Sequence, residues 1–159
     1  MEERPLSGGT WSSEIVTRVR DIAARADLIA MALPRDPTSA EEPAIRRLVL
    51  LLALWQIERS SGGPECAATP ESRAAVLDAR RQVGVDHADE TFLGELSVAR
   101  GRFSFYDTRA ANWVFGQALA AAIGFKDDFA YVAPAAAWAI HALNEAASVP
   151  ARPPPDPAS

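Results

Sequence analysis

Reactive side chains are scarce in this sequence, whose 159 residues include two histidines and one cysteine. Cys66 has no second thiol to pair with, which excludes an internal disulfide and any thiolate metal cluster built from one chain. Helical di-iron sites need a glutamate three residues before a histidine; those positions before His87 and His141 hold Gly84 and Trp138. The His-Glu-x-x-His pair, the Gly-x-Ser-x-Gly elbow and the glycine-rich nucleotide loops are missing as well. The expectation is a chain with no metal and no cofactor, and the balance leans away from an enzyme.

Long apolar runs are also lacking. The longest, Leu48 to Trp55, spans eight residues, against the about 20 that a membrane-spanning helix requires. Met1 to Pro5 shows neither the basic start nor the apolar stretch of a signal peptide, so the expected location is cytoplasmic. The β-branched and aromatic runs that favour strands are few. Lys126 is the only lysine, and the formal net charge is −5. Phosphate backbones select clustered positive charge, so this balance argues against a dedicated nucleic-acid binder.

Alanine and helical periodicity fill the remaining space. Alanine is the best intrinsic helix former, and Ile15, Val19, Ile22, Ala26, Ile29 and Leu33 follow the four-three spacing of a helix seam. One helix is therefore expected from Trp11 to Leu33, stopped by Pro34 and Pro37. Ser39 and Glu42 read as a capping box for a second helix, with Pro43 in its first turn. Its body, from Ile45 to Arg59, is apolar on all sides, which marks a helix surrounded by others. Thr69, Pro70 and Glu71 start a third, closed by Gly84. Asp86 caps a fourth running to about Arg100. A fifth is expected from Tyr106 to Ile123, and a sixth from Asp127-Asp128 to Ala147, bent or restarted at Pro134.

The predicted architecture is all-α: a compact bundle of about six helices with short connections and a disordered, proline-rich C-terminal tail. Residues 1–10 form a flexible lead, 11–149 a single helical domain, and 150–159 the tail.

Several features could carry chemistry, and each has a structural reading beside it. Asp86 and Asp89 flank His87, but a capped, acidic first turn explains them. Asp127-Asp128 could be half of a magnesium-binding pair, yet it also suits a helix start. Cys66 sits in a loop with no activating motif. Trp55, Trp113 and Trp138 read as core, with Trp11 as the tryptophan to expect at the surface. The densest cluster is Arg100-Gly101-Arg102-Phe103-Ser104-Phe105-Tyr106-Asp107-Thr108-Arg109, three arginines and three aromatics at a helix junction. These types are enriched at interaction hot spots, although aromatics also pin loops to a core. Arg100, Arg102, Phe105, Tyr106 and Arg109 are the candidate partner-binding residues. Polar groups inside apolar helices, His141, Asn112, Gln117 and Asn144, could instead line a small-molecule pocket.

The alanine-rich helices with Leu54-Trp55 and Glu58-Arg59 resemble, in composition, small helical bacterial proteins that neutralise toxins. The likeness covers the middle and last thirds of the chain; it lies in composition rather than motif and assigns no family. Together these readings lead to a non-enzymatic protein-interaction module: an adaptor, scaffold subunit or neutralising partner that binds another protein or itself. The alternative is a small-molecule binder or enzyme with a pocket between helices.

Overall fold

A computed structural model describes residues 8–60, 70–99 and 110–147. They form α1 (Gly8–Ala23), α2 (Asp27–Ala30), α3 (Glu42–Ser60), α4 (Pro70–Gln82), α5 (His87–Ser97), α6 (Ala111–Ala122) and α7 (Phe129–Ala147), with no strand among them. The protein is all-α: six helices of at least eleven residues and one single turn, α2. Residues 150–159, where a tail is expected, and Cys66 lie outside the described residues.

α3 is the centre of the bundle. Every side chain from Leu51 to Glu58 is buried, and the helix packs against α1, α5, α6 and α7. Each fully buried leucine or isoleucine here contributes about 1.5–3 kcal/mol through loss of apolar surface from water. Trp55 is among the largest fully buried side chains; its Nε1–H donates to Ser97 Oγ (3.1 Å), so the indole's polar atom is satisfied within the core.

The expected 11–33 helix is two helices. Its backbone runs from Gly8, then tightens at residues 24–26, where the amides of Arg25 and Ala26 bond carbonyls three residues back, Ile22 and Ala23. The periodicity hid this break for a physical reason. A turn of three-residue bonds keeps the seam in register, and Ile22, Ala26, Ile29 and Leu33 all stay buried across it.

The capping box before α3 also lies one residue earlier than expected. Thr38, not Ser39, is its first member: Glu41 N–H donates to Thr38 Oγ1 (3.3 Å) and Thr38 N–H to Glu41 Oε1 (2.9 Å). Arg35 decides between the two registers. Its guanidinium grips Glu41 with two parallel bonds of 2.8 and 3.0 Å, and also donates to Ile123 O (3.2 Å) at the end of α6.

The glycine stops and aspartate caps fall where the sequence places them. Gly84 and Gly124 adopt φ +73° and +83°, and each closes its helix with the paired terminal bonds of a left-handed glycine cap. Asp86 and Asp89 accept each other's backbone amides at the start of α5. Asp128 caps α7 by accepting from Ala130 N–H (3.0 Å), while Asp127 takes a left-handed φ of 62°. α5 stops at Ser97 rather than Arg100, and Ala110 is extended (φ −71°, ψ 155°), so α6 starts at Ala111 rather than continuing from Tyr106. Pro134 does not interrupt α7. The missing proline amide would have bonded Ala130 O, and Ala130 is exposed to water that can take its place.

α6 and α7 make the most extensive helix pair. A Cβ placed on Gly116 would lie 2.6 Å from Val132 O and 3.1 Å from Ala136 N, so the two backbones nearly touch there. Ala120, Ala135, Ala136 and Ala139 line the interior of this hairpin and are fully or almost fully buried.

Candidate interaction surface

Arg18, Arg35, Arg47, Arg80 and Arg81 each reach a carboxylate. Arg80 of α4 makes a two-point pair with Glu58 of α3 (2.6 and 2.7 Å), and the Glu58 side chain is only 3% exposed. Arg47 of α3 serves as a long-range cap. It donates to Val83 O (2.9 Å) and Gly84 O (2.7 Å) at the end of α4 and pairs with Asp89 in the first turn of α5. Burial opposes ionisation of Asp89, but the bonds from Arg47 and from the Asp86 amide outweigh it, and the carboxyl is held below its ordinary range.

The Glu41 carboxyl is pushed down to about 2, first by the hydrogen bonds from Arg35 and then by the Thr38 amide. The same pair raises Arg35, whose guanidinium also lies 5.0 Å from the centre of the Phe125 ring, itself stacked on Tyr131 at 3.9 Å. Between α1 and α4, buried Ser12 donates to Asp78 Oδ2 (2.6 Å) and Gln82 Nε2 donates to the same oxygen (2.8 Å). The Asp78 carboxyl is lowered by Ser12 first, then by Gln82 and Arg81. These contacts join helices, and no group of three or more potential metal ligands gathers among the described residues.

Arg20 and Arg46 stand apart, being exposed and reaching no carboxylate among the described residues. They line a shallow, solvent-open depression of about 380 Å³ where the end of α1 runs beside the start of α3. Arg20, Ala23 and Ala24 form one wall; Pro43, Arg46, Arg47 and Leu50 form the other. The spacing of both sets is that of a single helix face. A smaller hollow of about 60 Å³ adjoins it under α2, with Asp27 and Glu42 near Arg46. α2 also carries Leu28, 45% exposed, and Met31 just beyond its end is 82% exposed.

The sequence-derived candidates fall elsewhere. Arg100, Arg102, Phe105, Tyr106 and Arg109 lie outside the described residues. Of the pocket group, Asn112 is buried and donates from Nδ2 to Ala136 O (3.3 Å) across the α6–α7 contact. Gln117 and His141 are exposed, so these three side chains do not enclose a common space; the Asn144 and Trp11 side chains lie outside the described ones. His87 is exposed. Trp113 is buried against Phe129 (ring centroids 6.0 Å apart), and Trp138 is partly buried against Phe115 (6.2 Å). No helix among the described residues is long and apolar enough to cross a membrane.

Sequence reasoning missed the Arg20/Arg46 groove. The one usable signal was the recurrence of Pro43, Arg46, Arg47 and Leu50 at three- and four-residue steps, matched by Arg20, Ala23 and Ala24. It becomes meaningful only once α1 and α3 are known to lie side by side. Compared with models of protein families, with curated proteins and with solved structures, the chain matches none.

Proposed function

We propose that this protein acts by binding another polypeptide, and that the α1–α3 groove is a docking face. The observation that carries this reading is the pair of exposed arginines, one on each wall of a groove they share with Ala23, Ala24 and Leu50, in a molecule whose other described guanidiniums largely have carboxylate partners. Arginine beside apolar surface is the composition of interaction hot spots. The depression is in the size range of ligand pockets, about 300–1,000 Å³, but those enclose most of their ligand. A shallow, solvent-open one suits a partner's helix or loop better than a small molecule. The Arg100–Arg109 segment belongs to the same reading as a second contact.

A photo-crosslinking residue at Ala24 tests the groove inside cells. A discrete adduct that disappears in an Arg20→Glu/Arg46→Glu variant is the expected result; an adduct indifferent to both charges removes the groove from the proposal. Alanine at Arg102, Phe105 and Arg109 tests the second contact in the same way, with loss of binding and an unchanged fold expected.

A further inference from the structure

The outward face of α5 is complementary to the α1–α3 groove. Asp89, Phe92, Leu93 and Leu96 point inward and are buried. At helical spacing the opposite spine is His87, Thr91, Gly94 and Val98, all exposed, and Val98 reaches 84%. Thr91 turns its hydroxyl onto its own helix at His87 O (3.1 Å). A Cβ added at Gly94 would meet nothing within 4 Å, so this spine is low enough for another surface to approach closely. Glu90 and Glu95, both exposed, stand five residues apart, which puts one on each side of the spine. The groove has the reverse pattern: the small apolar Ala23 and Ala24 line it beside Arg20 on the α1 wall, and Leu50 lines it beside Arg46 on the α3 wall.

We infer that the occupant of the groove is α5 of a second copy of this chain, with Glu90 and Glu95 facing the two arginines and Gly94 against the alanines of the α1 wall. This rests on the groove being a docking face, and it names the partner. Two further observations favour a second copy. Arg47 lines the groove and binds Asp89 at the start of α5, so groove and helix are neighbours on one molecule. A surface holding both halves of a complementary pair is self-complementary, and a two-fold axis lets each copy fill the other's groove, closing the assembly at a dimer. The helix-in-groove contact is then made twice, towards the roughly 1,200–2,000 Å² typical of stable interfaces. Val98, the most exposed large apolar side chain among the described residues, would also be covered.

Sedimentation of the whole chain at low and high salt provides the test. The wild type should sediment at twice the mass of one chain and dissociate about 10-fold more readily after Arg20→Glu/Arg46→Glu or Glu90→Arg/Glu95→Arg. Mixing the two variants should restore a heterodimer, because both contacts then pair opposite charges again. Gly94→Trp should give a folded monomer, checked by circular dichroism, since Gly94 is exposed and a Cβ there meets nothing within 4 Å. A wild type that stays monomeric at high concentration overturns the inference, as does a dimer indifferent to Gly94→Trp or unrescued by mixing. If that monomer still forms a charge-dependent adduct with a different chain at Ala24, the docking face stands and only the choice of partner falls.

Discussion

The two halves of this bundle are held together by different physics. In the α6–α7 hairpin the contact is dry and close: Gly116 lets backbones meet, alanines fill the seam, and the polar Asn112 is tied to a carbonyl. Between α3, α4 and α5 the joints are arginine forks, Arg80 to Glu58 and Arg47 to Asp89 plus two carbonyls. A dry joint constrains volume. A fork constrains charge and direction, and it can be replaced as a unit. Buried ion pairs bring little net stability over a well-packed apolar pair, yet losing one partner leaves a charge in a medium that cannot solvate it.

The largest effect should follow from breaking one fork. Arg80→Ala leaves the Glu58 carboxylate buried and should cost about 3–5 kcal/mol in denaturant unfolding. Replacing both, Glu58→Leu with Arg80→Met, should recover most of that loss; an equally damaged double variant would mean that the pair cannot be replaced as a unit. Gly116→Val is the counterpart in the dry joint, expected to cost about 3 kcal/mol because backbone atoms have no room to yield. Arg47→Ala comes next, at about 1–2 kcal/mol, through loss of a cap and an ion pair together. Arg47→Lys should rescue little, since an ammonium cannot reproduce the fork.

The smallest effect sharpens the contrast through pH. Glu41 is depressed in the folded state, so its contribution is complete above its unfolded value of 4.5 and is lost as pH falls towards about 2. Melting temperature should decline across that window, and less so in Glu41→Gln. Loss of an equal increment in the glutamine variant would remove Glu41 as the source. Gly116 is packed against backbone and alanine rather than against a charge, so Gly116 variants should keep the wild-type pH slope.

Which parts could be read from the sequence follows the same division. Local chemistry was legible: Gly84, Gly124, Asp86 and the central burial of Leu51–Trp55 all depend on residues a few positions apart. The break at 24–26 was not, because three-residue and four-residue turns serve one seam equally well. Thr38 and Ser39 are adjacent residues able to cap, and Arg35, whose bond to Ile123 O spans 88 positions, was needed to choose between them. Arg47 as a cap for α4, and the Arg20/Arg46 groove, depend on which helices are neighbours. Periodicity reports which face is buried and nothing about what it is buried against.

Chain order gives the α6–α7 hairpin a further role. Its helices are separated by a short link and form the most extensive pair, so little loop entropy stands between the unfolded chain and their docking. Bonds such as that of Arg35 to Ile123 O must await closure of a far longer loop. Refolding should therefore begin at this hairpin: substitutions at Ala120 or Ala136 should slow folding, whereas Arg35→Ala should mainly hasten unfolding. The absent side chain at Gly116 then matters in time as well as in space, since it sets how soon the chain finds its first lasting contact.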